Sequence, residues 1–303
     1  MRVYSKYQEW IISNFNGKTP KESISKIAEI LLFETKQQVF PIKLSLIAKK
    51  IGIDPRPLYL NQPFDGSLIF HGDKLRIALK RESEQYNRLL PHYRFAYAHE
   101  LIHCLSYDFN IHKRVAPLPK GLEEEHLCNY GAVKLILPLS ILKKYLKIDY
   151  DFYKNDIISY TEKIKQLATL AECNIHTVVY ELFNSDLLVP TFNTVYILSQ
   201  NSGGYQNKNV VKPRCLIGIH FDEQGKKKQF LSGQQGLQHI KSLNSNEGWS
   251  LINFYQNPFS NHFIVDNETI LRDTDNEMFL ISGIHVRFSE KGYIWSELNI
   301  KKA

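Results

Sequence analysis

The sequence predicts an α+β chain: a mostly helical domain carrying a small hairpin or sheet, followed by a mixed α/β domain. Three observations lead there. Apolar residues recur at three- and four-residue steps through most of residues 1–190, the spacing of half-buried helices. Two short strand-like runs interrupt that pattern near residue 70. Beyond Pro190 the texture changes to β-rich runs separated by polar, glycine-containing stretches. The expected boundary lies near 189–193, giving domains 1–190 and 191–303, and 303 residues fit about two domains by length alone.

Residues 5–15 and 21–36 read as helices. Pro20 opens the second, and Ile24, Ile27, Ala28, Leu31 and Leu32 share one face of it. Pro41 is expected to open a short helix through Ile51, closed by Gly52. Ser67–Phe70 and Leu75–Leu79 read as strands around a turn at His71–Lys74. Helical spacing returns from Pro91 to about Leu105, with Phe95, Ala98, Ile102 and Leu105 in phase. Gly121–Leu137, Pro138–Leu146, Ile157–Ala171 and Ile175–Leu188 complete the helices. Strands are expected at Thr194–Leu198, Cys215–Phe221, His262–Val265, Phe279–Val286 and Tyr293–Glu297.

Hydrophobic residues make up 43% of the chain, enough for a real core and against a disordered one. Cys104, Cys128, Cys173 and Cys215 form no CxxC pair, which fits a reducing compartment. The first residues show no apolar signal-peptide run, and no stretch approaches 18 consecutive apolar residues. The reading is a cytoplasmic protein with no membrane partner. A net charge of +7 favours anionic partners, although a lysine-rich surface also serves solubility.

The chemistry concentrates at Ala98-His99-Glu100-Leu101-Ile102-His103. On a helix, residues four apart share a face, so both imidazoles can reach one ion. A glutamate beside the first histidine can take a proton from water there. A catalytic zinc site needs a third protein ligand and one open position. Candidates follow in Glu123-Glu124-Glu125-His126. Glu125 shares a stripe with Cys128, Asn129, Ala132 and Ile136, the side expected to be buried, whereas Glu123 lines up with Tyr130 and Lys134. Glu125 is the choice, with Glu124 and His126 as fallbacks.

These residues resemble the ImmA/IrrE (M78-type) regulatory metallopeptidases. RFAYAHELIHCL supplies the HExxH helix. EHLCNYGAVKLILP resembles the second family helix, written approximately E-x-x-A-N-x-F-A-A-x-L-L-x-P, with Glu125, Asn129, Ala132, Leu135, Ile136 and Pro138 in register. Cys128, Gly131 and Val133 depart from it, and Gly131 should weaken the helix by roughly 1 kcal/mol relative to Ala. The resemblance covers about residues 20–190. It implies a zincin-like fold, Zn2+ held by His99, His103 and Glu125, and Glu100 as general base. It further implies cleavage of one helix-turn-helix transcriptional repressor, to derepress a stress, mobile-element or phage-defence operon. In some family members single-stranded DNA raises activity.

In the C-terminal part, expected to be sensory or regulatory, Lys226, Lys227 and Lys228 lie near Tyr205, Phe221 and Phe230, a mixture suited to tracking single-stranded DNA. Cys215 is a candidate inhibitory zinc ligand. His92, His112, His176 and Tyr97 lie near the motifs without an assigned role. The competing reading is a non-catalytic, metal-stabilised regulator that binds DNA or the repressor. The intact Glu100 argues for the peptidase, because a structural zinc site does not need it.

Overall fold

Ser5 opens the first helix by a reciprocal cap. Its hydroxyl accepts from the Gln8 N–H, and the Gln8 side chain accepts from the Ser5 N–H. The computed structural model describes residues 3–72, 74–81, 90–108, 110–111, 113–146, 157–185 and 187. It describes the backbone alone for 157–161 and, from 194 on, for 194–201, 213–221, 227–229, 262–272, 278–288 and 293–302. The described elements are α+β. The chain divides into two units, Met1–Ile148 with Lys165–Glu181, and Asp149–Ile164 with Leu182–Ala303.

In the first unit α1 (Lys6–Phe15), α2 (Pro20–Glu34) and α3 (Leu44–Lys50) precede β1 (Leu58–Leu60), β2 (Gly66–His71) and β3 (Lys74–Lys80). Then come α4 (Pro91–His103), a 3-10 turn at Cys104–Ser106, a two-strand hairpin of β4 (Tyr107–Asp108) and β5 (Lys113–Arg114), α5 (Glu123–Ile136) and α6 (Leu139–Leu146). The helices α7 (Ile157–Leu170) and α8 (Ile175–Asn184) follow in the chain; Lys165–Glu181 belong to the first unit and the outer ends of both helices to the second.

The core is the seam where α2, α4 and α5 meet. Ile24, Leu101, Leu135 and Ile136 are fully buried there. Gly131 sits at the closest approach. A Cβ on it would lie 2.7 Å from Ile102 Cγ1 and 2.8 Å from Ile24 Cγ2. The glycine that weakens α5 in isolation is what lets three helices close up.

Several boundaries differ from expectation. The helix expected from Pro41 begins at Leu44. The Gln37 side chain binds both the N–H and C=O of Lys43, holding that stretch outside the helix. The helix expected from Gly121 begins at Glu123, because Gly121 takes a left-handed φ of 54°. The helix expected over Ile175–Leu188 ends at Asn184.

The small sheet has the order β1-β3-β2, with β1 parallel and β2 antiparallel to β3. The Lys80 N–H donates to Asp65 O at 3.2 Å, and the register pairs Gly66 with Leu79 and Leu68 with Ile77. Hydrogen-bonded pairs alternate with non-bonded ones, so the N–H and C=O groups of Gly66, Leu68 and Phe70 point away from β3. Among the described residues, β2 is therefore a free edge there.

From residue 194 on, the described backbone forms one antiparallel sheet. Its strands are β6 (Thr194–Asn201), β7 (Pro213–Phe221), β8 (Lys227–Gln229), β9 (His262–Arg272), β10 (Met278–Phe288) and β11 (Tyr293–Lys302), in the order β8-β7-β6-β11-β10-β9. All five expected C-terminal strands fall within these longer ones. The mixed α/β character expected of residues 191–303 is not what the described part shows, since every described residue from 194 on is in a strand.

Candidate metal centre

Helix α4 packs against β2 and β3 of the small sheet and presents His99, Glu100 and His103 to a cavity of about 620 Å³. Phe64, Gly66, Ser67, Leu68 and Phe95 form its apolar and strand side. Tyr107, Arg114, Glu124 and Glu125 close the polar side. Gly66 is required by closeness: a Cβ there would lie 3.1 Å from the Glu100 side chain and 3.3 Å from Ala96 Cβ.

Three donors converge. The Nε2 atoms of His99 and His103 are 2.9 Å apart, and the Glu125 carboxylate lies 3.2 Å from the first and 3.3 Å from the second. Bonds of about 2.0–2.1 Å to a tetrahedral zinc put ligand atoms about 3.3–3.4 Å apart. The triangle is close to that size, slightly pinched between the imidazoles.

The partners of the outer nitrogens favour one tautomer. His99 Nδ1 faces Asn129 Oδ1 at 2.9 Å, and His103 Nδ1 faces Glu124 Oε1 at 3.4 Å. An amide oxygen and a carboxylate only accept, which favours the proton on each Nδ1 and leaves the two Nε2 atoms, 2.9 Å apart, to share a proton or an ion. Two lone pairs and a carboxylate facing one another repel unless a cation sits between them. That donor set fits a metal ion.

Helical phase located Glu125, and its stripe is buried at Cys128, Ala132 and Ile136 but exposed at Glu125 and Asn129. The Glu125 side chain is 50% exposed, because it looks into the open cavity. Its neighbour Glu124 is the buried one. It accepts from Ser106 Oγ and from Arg114 Nη2, both at 3.0 Å. Burial alone would raise its pKa, but the hydrogen bonds and charges of His103 and Arg114 outweigh that and hold it at about 2. The same contact acts on His103. Burial would lower its pKa, and Glu124, with the charges of Glu100 and Glu125, raises it above the ordinary value. His99 moves the other way, lowered by burial and by the neighbouring His103. Glu100 is 7% exposed; burial first, then the charges of Glu125 and Glu124, push it up to about 7.

One residue was not foreseen as a participant. Cys128, one turn beyond Glu125 and 1% exposed, has its sulfur within 4.8 Å of the His99 and His103 donor atoms, and these three residues could hold a metal ion. Burial keeps its thiol protonated, well above the usual range. Glu125 is the better third donor, since its carboxylate sits within 3.3 Å of both imidazoles. The i, i+3 spacing from Glu125 was the signal that could have marked Cys128.

The remaining candidates fall elsewhere. His126 is exposed. Glu123 accepts from Ser5 Oγ at 2.7 Å, joining α1 to α5. Tyr97 is a core residue whose hydroxyl donates to Pro55 O. His92 is exposed and lies against the Tyr93 ring, and His176 faces Tyr180. His112 and Lys226 lie outside the described residues, as do the side chains of Cys215, Lys227 and Lys228.

No helix among the described residues is long and apolar enough to cross a membrane. A scan against protein-family models finds no match, and a search of curated proteins finds none. Among solved structures the chain is similar to a Mycobacterium tuberculosis transcriptional regulator, at 14% identity and a TM-score of 0.44, over 96% of this chain and 91% of that one. A likeness that distant carries no functional argument.

Proposed function

We propose that this chain is a zinc-dependent, site-specific endopeptidase of the ImmA/IrrE kind. The observation that carries the reading is the triangle of His99 Nε2, His103 Nε2 and the Glu125 carboxylate, opening into the same cavity as Glu100.

Zinc held there would polarise a peptide carbonyl and supply a water nucleophile at neutral pH. Glu100, beside that position in the cavity, could take a proton from the water and pass it to the leaving amine. The free edge of β2 at Gly66 and Leu68 offers outward N–H and C=O groups to an extended peptide. Phe64, Leu68 and Phe95 line the cavity there and offer apolar contacts to the side chains of such a peptide. A cavity bounded by an unpaired strand suits a polypeptide substrate better than a small molecule.

The proposed substrate, from the resemblance, is a helix-turn-helix repressor whose loss derepresses a stress, mobile-element or phage-defence operon. Single-stranded DNA is the proposed activator, through Lys226, Lys227 and Lys228 of the proposed regulatory domain 191–303. The test is incubation of the zinc-loaded chain with a repressor encoded beside it. One specific cut, absent with Glu100→Gln, supports the reading; no cut with or without DNA counts against it. Charge reversal of Lys226–Lys228 should flatten the salt dependence of DNA binding. Unchanged affinity and slope would remove the DNA contact.

Cys128 favours a second reading. If its thiolate joined Glu125, four protein donors would close the site, as in structural zinc centres. The chain would then be a metal-stabilised regulator without peptidase activity. Cobalt substitution separates the two, because a thiolate ligand gives an intense near-ultraviolet charge-transfer band and a His2Glu set does not.

A further inference from the structure

His103 is backed by a chain of hydrogen bonds that leaves the motif altogether. Ser106 donates to Glu124 Oε1 at 3.0 Å, and His103 Nδ1 lies 3.4 Å from that same oxygen; the Tyr7 side chain of α1 acts on this group electrostatically, feeling both Ser106 and Glu124. Serine has a single proton, and Glu124 takes it. Glu124 thus accepts from Ser106 on one side and faces His103 Nδ1 on the other, and a Tyr7 hydroxyl turned to Ser106 could only donate. Arg114 Nη2 holds the second carboxylate oxygen at 3.0 Å, and its guanidinium lies 5.8 Å from the Tyr7 ring centre. Tyr7, Ser106 and Glu124 are 2%, 1% and 7% exposed, so water cannot readily replace a missing partner.

We propose that Tyr7, Ser106 and Glu124 are positioning residues that set the tautomer and aim of His103, making metal affinity depend on α1. The proposal rests on the metal-site reading above. A carboxylate that can only accept keeps the proton on Nδ1 and the Nε2 lone pair toward the ion. Partners of this kind typically change metal affinity by about 10–100-fold. His99 has no such backing, since its Nδ1 meets only Asn129, which is exposed. The arrangement makes α1, which lies before the stretch that resembles the peptidase family, part of the metal centre.

The experiment uses the full chain with Glu124→Gln, Ser106→Ala and Tyr7→Phe. Zinc affinity is read by chelator competition. The His103 tautomer is read in metal-free protein by long-range nitrogen–proton correlation NMR. Wild type should show the Nδ1–H form. Glu124→Gln, whose amide can donate as well as accept, should show a mixture and bind zinc about 10–100-fold more weakly. Ser106→Ala and Tyr7→Phe should weaken binding in that order, by several-fold each. Tyr7→Phe removes one oxygen, so it keeps the test alive if Glu124→Gln does not fold. Lower melting temperatures with zinc affinity within twofold of wild type and an unchanged tautomer would overturn the proposal, reducing the chain to packing. A wild-type protein that binds no zinc yet shows the Nδ1–H form would instead sink the metal-site reading, and the tautomers of the variants would still decide the positioning role.

Discussion

The two imidazoles of α4 are one turn apart and chemically alike, yet their surroundings differ. His103 leans on a buried carboxylate gripped by Ser106 and Arg114. His99 leans on Asn129 at the cavity rim. The contrast gives the candidate ion site one side braced by buried partners and one side braced by an exposed amide. The first side faces the core through the 3-10 turn and the β4–β5 hairpin, and the second shares its rim with Glu125, the half-exposed third donor.

The largest break in that comparison should come from Glu124→Ala. It leaves Arg114, Ser106 and His103 facing an empty, buried position and should cost about 3 kcal/mol of stability in chemical denaturation. Asn129→Ala, the matching cut on the His99 side, should cost under about 1 kcal/mol. Equal losses would mean that the two sides are not different in kind.

Acid sharpens the contrast next. The folded-state pKa of Glu124, about 2, is below its unfolded value of about 4.3, so its contribution is present above that value and lost as pH falls toward 2. Metal-free wild type should lose stability over that window faster than Glu124→Gln does. Parallel curves would contradict the assignment.

The seam beneath both sides is tested by Gly131→Ala. Helix propensity favours Ala by about 1 kcal/mol, but its Cβ would overlap Ile102 and Ile24. Overpacking should win, with net destabilisation of about 1–2 kcal/mol in a denaturant titration. A more stable variant would show that the seam can give.

The finest test is titration of the metal-free histidines by NMR. His103 should titrate above the ordinary value of about 6.5 and His99 below it. Protonation of His99 first would reverse the electrostatic picture.

Much of the first unit was legible because the 3.6-residue period survives in sequence. HExxH named three side chains of the site, and helical phase named Glu125. The buried label on that phase held at Cys128, Ala132 and Ile136 and failed at Glu125 and Asn129. An apolar-looking stripe can face a cavity as well as a core, so Glu125 proved half exposed while Glu124 was buried. The network behind His103 was illegible for another reason. Tyr7, Ser106 and Arg114 lie 96, 3 and 11 positions from His103 in the chain, and no local period links them. The strand β1 is only three residues long and carries no alternation of its own, its place being set by parallel pairing with β3. The C-terminal strands announced themselves by β-branched and aromatic runs, but their order in the sheet comes from long-range pairing that no window reveals.

The central claim is that His99, His103 and Glu125 hold one zinc for Glu100 to work beside. Elemental analysis of freshly purified wild type, Glu125→Ala and Glu100→Gln tests it most directly. The account predicts about one zinc per chain in wild type and Glu100→Gln, and a marked loss in Glu125→Ala. No metal in wild type, and none taken up when zinc is added, would contradict it.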